Sequence, residues 1–152
     1  RVFFRGYGAF PISATGKEFS SIQHSLSILQ KDGAMGIFPE GGRNPGGLGK
    51  AMLGVGLIAI KSGAPILPIG ITGTENLGHW LRVCYPKGKL NVNIGKPFFI
   101  NVQDNKLRKN IESATDTIME HIAELLPREY RGLYGNDWNG ESRYTTPKKF
   151  GT

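Results

Sequence analysis

Cysteine is nearly missing from this sequence: Cys84 stands alone among 152 residues. One thiol excludes an internal disulfide and any metal site built on several cysteines, and it fits a reducing compartment. Histidine is scarce as well. None of His24, His79 and His121 has Ser, Cys or Asp at a spacing that sets up a triad, and no pair has metal-ligand spacing. His24 and His121 read as surface or boundary residues of helices. Long hydrophobic runs are also lacking. The longest uncharged apolar stretch, Ala51 to Ile60, has ten residues, about half of what a membrane-spanning helix needs. No apolar h-region follows Arg1-Val2-Phe3-Phe4-Arg5, so no signal peptide is read. The sequence starts with Arg rather than Met, and the expectation is an N-terminally truncated chain whose anchor, if it has one, precedes Arg1.

Acidic residues are in deficit. Nineteen Lys and Arg against twelve Asp and Glu give a formal charge of +7, which suits anionic partners: nucleic acid, phosphorylated metabolites or acidic lipid. Between Glu75 and Asp104 there is no acid at all, while Arg82, Lys87, Lys89 and Lys96 fall there. A solvated basic hairpin and a surface for anionic lipid or an acidic carrier both remain open for that run. At 39% hydrophobic and 10% aromatic the chain can build a core, and its length is that of about one domain. Glycine is abundant, 22 residues in all, so loops and close backbone approaches should matter.

Periodicity supplies the elements. Residues 1–12 read as an extended entry and 13–16 as a turn. Ile22, Leu26 and Leu29 share one face of a helix running from about Lys17 to Lys31, ended by Asp32-Gly33. Ala34 to Phe38 reads as a short buried strand. A second helix is expected from near Leu48 to Ser62, with Gly63 as its C-terminal cap; it is apolar nearly all round and should be buried. Ile66 to Thr72 and Leu90 to Ile94 read as two more strands. Leu107, Ile111, Ile118, Ile122 and Leu125 mark a long helix from Asp104 to Leu126, closed by Pro127. Residues 128–152 look loosely structured. The alternation of helix and strand predicts an α/β fold with a mixed, mostly parallel sheet flanked by helices.

Two phosphate-binding patterns are approached and not met. Gly54-Val55-Gly56-Leu57-Ile58-Ala59 has the G-x-G-x-x-A form, but that motif follows a strand and opens a helix, and here it falls inside the expected helix. Leu48-Gly49-Lys50-Ala51 resembles the end of a P-loop, yet Asn44 and Ala51 stand where Gly and Ser or Thr would be required. The stretch Gly36-Ile37-Phe38-Pro39-Glu40-Gly41-Gly42-Arg43-Asn44-Pro45-Gly46-Gly47 still makes an anion site plausible. A glycine-rich segment that opens a helix presents unpaired N–H groups and the positive end of the macrodipole. Arg43 and Lys50 would bracket that end, and the planar Arg fork suits phosphate oxygens.

Three blocks then carry a family resemblance. Phe38-Pro39-Glu40-Gly41-Gly42-Arg43 resembles the F-P-E-G-T-R block of the glycerolipid acyltransferases, the family of 1-acylglycerol-3-phosphate acyltransferases. Ala64-Pro65-Ile66-Leu67-Pro68-Ile69-Gly70-Ile71, continued by Gly73-Thr74-Glu75, resembles their following strand block. Gly8-Ala9-Phe10-Pro11-Ile12 resembles the block ahead of the first helix. Order and spacing agree over residues 3–76, and more weakly to 134. The resemblance implies an acyltransferase domain, C-terminal portion, at 1–134, with an irregular basic tail at 135–152.

It also implies a reaction: transfer of a fatty acyl group from acyl-CoA or acyl carrier protein to a lysophospholipid such as lysophosphatidate, in phospholipid biosynthesis. No organic cofactor or metal is implied, because the thioester drives the transfer. Substrate binding would fall to Glu40, Gly41, Gly42 and Arg43, with Lys50 beside them: Arg43 on the phosphate, Glu40 on a glycerol hydroxyl or orienting the loop. Pro65 and Pro68 would shape the strand beside the acyl site. The protein would work at the cytoplasmic face of a membrane, peripheral or anchored through a missing N-terminal segment, with no nucleic acid as partner.

The chain departs from the family pattern in three places. The family's base is a His in His-x-x-x-x-Asp, and no histidine here has that partner: the positions concerned are Leu29, Cys84 and Leu126. No catalytic residue is therefore assigned, and residues 1–152 alone are expected to bind rather than turn over. Gly42 replaces a Thr, and Ala14 stands where an Arg is usual, with Arg5 as a possible substitute. The alternative is a non-catalytic α/β module that binds an anion or a membrane surface. Nucleic-acid binding, raised by the charge, lacks any recognition module.

Overall fold

The computed structural model describes residues 18–42, 44, 46–74, 89–101 and 106–135. The expected entry at 1–12, the turn at 13–16, Arg82, Lys87 and the tail from 136 onward lie outside the described residues. The chain divides into two compact units, 1–37 and 38–152.

The first unit contains α1, Glu18–Leu29. Its C-terminus is closed as the sequence suggests, with one change of role. The Gly33 N–H bonds to the Ile28 carbonyl at 3.0 Å and the Asp32 N–H to that of Leu29 at 3.2 Å, the paired bonds of a Schellman cap. The left-handed residue is Asp32, at φ 56°, not the glycine; Asp tolerates that region better than most residues. Ser21 and Ser25 are buried, and the Ser25 hydroxyl donates to the Ser21 carbonyl at 2.7 Å.

The run Ala34 to Phe38 is not the buried strand its apolarity predicts. It has no ladder partner among the described residues, and Phe38 is 81% exposed. A short apolar run specifies no pairing edge, and this one crosses the boundary between the two units.

In the second unit α2, Gly54–Ser62, lies against α3, Leu107–Glu124. The pairing depends on small residues. Gly56 is buried, and a Cβ there would overlap Thr115 Oγ1 and come within 2.5 Å of the Ile111 carbonyl oxygen. Thr115 is fully buried and donates its hydroxyl back to that same carbonyl at 2.7 Å, so its polar group is satisfied within α3. Ile58 and Ala59 complete the covered face of α2. Gly63 caps this helix as expected, at φ 62° with its N–H on the Ala59 carbonyl. Ile118, Met119 and Ala123 line the buried side of α3.

Two strands follow α2 in the chain: β1, Ile69–Thr72, and β2, Asn91–Ile94. They pair antiparallel, Ile69 opposite Ile94 and Thr72 opposite Asn91. The pairing continues past the strands, with Ile66 and Phe98 exchanging two bonds of 2.8 and 3.0 Å. Two residues separate Ile66 from Ile69 while three separate Ile94 from Phe98, so the β2 side carries a bulge at Gly95-Lys96-Pro97. Gly70 packs against Leu125 and Leu126 after α3, and the Asn93 side-chain amide donates to the Leu125 carbonyl at 2.8 Å. On the other face Ile69, Ile71, Val92 and Ile94 are exposed.

The fold is thus mixed α/β, but a mostly parallel sheet flanked by helices is not what the described residues form. Among the described residues 34–38 forms no strand, so no strand–helix–strand crossover through α2 is seen, and β2 returns antiparallel along β1. A second difference follows Pro127. Where the sequence looks loose, two single 3-10 turns, Arg128–Tyr130 and Gly132–Tyr134, form a corner. Its Tyr134 is 6% exposed and joins Ala51, Met119 and Ala123 in a buried cluster, with Leu48 and Ile122 packed on it.

Candidate functional site

The glycine-rich segment forms a loop closed at its base by backbone bonds. Phe38-Pro39-Glu40-Gly41 is a tight turn, with the Gly41 N–H on the Phe38 carbonyl at 3.1 Å. Pro39 has the second place, which suits its fixed φ. The Pro39 carbonyl then accepts from the Met52 N–H at 2.8 Å and ties the two ends of the loop together.

The returning leg is held by the corner after α3. The Leu48 N–H donates to the Tyr130 carbonyl and the Leu48 carbonyl accepts from the Leu133 N–H, both at 2.9 Å. This explains why α2 starts at Gly54 rather than near Leu48. In a helix opening at Leu48 its carbonyl would take the Met52 N–H, but each of those groups is already bonded elsewhere. The first bond into α2 runs from the Leu57 N–H to the Leu53 carbonyl at 3.1 Å. The expected placement of Lys50 at a helix N-terminus is therefore corrected: Lys50 precedes the first residue of α2 by four positions, beyond the reach of a dipole effect confined to the first turn. The G-x-G-x-x-A stretch does open a helix at Gly54, but Ala51 and Met52 before it are not a strand, so the dinucleotide reading still fails.

Across the loop runs one side-chain brace. Glu40 Oε1 accepts from the Asn44 side-chain amide at 2.7 Å and from the Gly49 N–H. Bonds to an ionised acceptor are the stronger kind, and these two close the segment 40–49 on itself. Of the two roles expected for Glu40, orienting the loop is the one with bonds on this side chain. Gly41 sits at the end of the turn at φ 65°, and Gly42, Asn44 and Lys50 are exposed. Arg43 lies outside the described residues. The loop therefore brings together Glu40, Gly41, Asn44 and Gly49, and sets Lys50 one residue past the brace.

The bonding of Asn44 and Gly49 to Glu40, and the contact of the corner with the loop, are not legible in the sequence, although residues 126–134 resemble the end of such domains. A Glu and an amide side chain four residues apart outside a helix give no pattern, and the corner is about 80 residues further along the chain. Of the histidines, His24 lies in the first unit, and in the second the His121 ring lies against Phe98 with centroids 4.0 Å apart. Among the described residues no group of three His, Cys, Asp or Glu could hold a metal ion, and no helix is long and apolar enough to cross a membrane.

Residues 1–72 match a protein-family model described as Acyltransferase. The match covers the Gly8–Ile12 block, the Phe38–Arg43 block and Ala64–Ile71, and ends before Gly73-Thr74-Glu75. No curated protein and no solved structure matches the chain. Acyl transfer is the class of chemistry that the family match supports.

Proposed function

Starting from the acyltransferase match over residues 1–72, we propose that this chain carries the acceptor side of a glycerolipid acyltransferase. The reaction is transfer of a fatty acyl group from acyl-CoA or acyl carrier protein to the free hydroxyl of a lysophospholipid, with lysophosphatidate the acceptor favoured. The observation that carries this reading is the braced loop: Glu40 bonded across to Asn44 and Gly49, with the glycine-rich tip exposed. A tip already held between fixed legs loses little conformational freedom on binding, and exposed glycines let a ligand come close to the backbone.

In this reading Arg43 takes the acceptor phosphate through its planar fork, and Lys50 adds a second cation. Glu40 keeps the loop in shape and leaves the phosphate to the cations, since a carboxylate facing a phosphate repels it. The acceptor hydroxyl must lose a proton as it attacks the thioester carbonyl, and the thiol of the donor leaves with one. No histidine among the 152 residues has Asp after four intervening positions, so these residues account for acceptor recognition and not for that proton transfer. A lipid acceptor places the reaction at a membrane surface, where a formal charge of +7 favours anionic lipid.

The test is acceptor discrimination. Binding of lysophosphatidate is expected to exceed that of the monoacylglycerol lacking the phosphate by tenfold or more, and to weaken as salt rises. Equal binding of the two would remove the phosphate from the account. The missing His-x-x-x-x-Asp favours a second reading, an anion-binding module without chemistry. Transfer of a labelled acyl group from acyl-CoA by this chain would exclude that reading.

A further inference from the structure

We propose that the corner after α3, Arg128–Tyr134, is a positioning element for the glycine-rich loop, and that Gly132 is the residue on which it turns. The corner lies beyond the residues matched to the acyltransferase family. The role rests on the acceptor-loop reading above, but the junction is argued from geometry alone.

Four observations converge on Leu48. Both of its backbone groups are bonded to the corner, the N–H to the Tyr130 carbonyl and the carbonyl to the Leu133 N–H, each at 2.9 Å. Its side chain packs on the buried cluster that contains Tyr134 of the same corner and Met119 and Ala123 of α3. The next residue, Gly49, gives its N–H to Glu40. The backbones meet closely: a Cβ on Gly132 would overlap the Leu48 carbonyl oxygen and lie 2.7 Å from the Leu48 nitrogen, and one on Gly47 would press at 3.0 Å on the Tyr130 oxygen and the Gly132 nitrogen. Gly132 also sits at φ 48° and Gly47 at φ 104°, backbone regions that side chains disfavour.

The consequence is mechanical. The loop's outgoing leg is fixed by the Pro39–Met52 bond, and its returning leg is fixed to the end of α3 through the corner. The tip from Gly41 to Gly47 is then suspended between two anchored points, with the Glu40 brace spanning them. Loosening the corner frees the returning leg and with it the Gly49 end of the brace.

Amide hydrogen exchange on Gly132→Ala, read beside binding of glycerol 3-phosphate, tests this. Exchange at the Leu48 and Gly49 amides is expected to quicken at least tenfold while the amides of α3 stay protected, with affinity for glycerol 3-phosphate falling in parallel. Gly47→Ala reaches the same junction from the loop side and should reproduce both effects if Gly132→Ala fails to fold. Gly63→Ala is the control: it strains a helix cap at φ 62° where an added Cβ meets nothing, so it lowers stability without touching the junction. Exchange at Leu48 and Gly49 that is unchanged in both junction variants, or that Gly63→Ala raises equally, overturns the proposal. If the unaltered protein binds no glycerol 3-phosphate, the acceptor reading fails, and the exchange pattern still decides the clamp.

Discussion

The seam between α2 and α3 and the loop before α2 lie within one unit and depend on glycine, yet different forces hold them. At the seam Gly56 lets two helix backbones approach until only Thr115 and the Ile111 carbonyl fill the gap. Burial and close packing do the holding, and nothing there needs to be exposed. In the loop the holding groups are hydrogen bonds: a carboxylate to an amide and an N–H, and backbone to backbone at Leu48 and Pro39. Gly41, Gly42, Asn44, Gly46 and Lys50 stay exposed. The seam should therefore answer to substitution with stability, and the loop with binding.

The largest effect on stability belongs to the core beneath both. Met119 is fully buried, and Met119→Ala is expected to cost about 2–5 kcal/mol, seen as a large drop in the denaturant midpoint. At the seam, Gly56→Ala forces a methyl group against backbone and should cost about 1–3 kcal/mol; no loss in the same measurement would mean that the helices are not in contact as described. Glu40→Ala belongs to the other side of the comparison. It should lower stability by only about 1 kcal/mol while reducing affinity for glycerol 3-phosphate several-fold, and a stability loss matching that of Met119→Ala would erase the distinction. Smallest of all is Arg108→Ala. It removes an exposed 3.0 Å pair with Glu112 one turn along α3, worth at most about 0.5 kcal/mol, and should leave binding unchanged.

What the sequence made legible follows from how local each signal is. The three helices are readable because their apolar spacing and their stop signals, Asp32-Gly33, Gly63 and Pro127, lie within the elements or next to them. The strand positions at 69–72 and 91–94 are readable for the same reason. Pairing is not, because the choice of neighbour is made across the chain: Ala34 to Phe38 has the composition of a strand and no partner among the described residues. The start of α2 is hidden for a similar reason: Leu48 has helical neighbours in sequence, but its backbone groups are bonded to Tyr130 and Leu133. Glu40 was found from its motif, whereas Asn44 and Gly132 were not, because a brace and a close approach leave no periodic trace. In α3 the apolar spacing pointed to Leu107, which is exposed, and passed over Ala114 and Thr115, which are buried; small residues gain their place from what they let approach.

The central claim is that the loop from Glu40 to Lys50 receives a phosphorylated acceptor, with Arg43 on the phosphate. Calorimetric titration of glycerol 3-phosphate into the unaltered protein and into Arg43→Ala tests it most directly, with thermal unfolding of both recorded beside it. The account predicts saturable binding that Arg43→Ala weakens at least tenfold with no change in unfolding temperature. Equal affinity in the two proteins would contradict it.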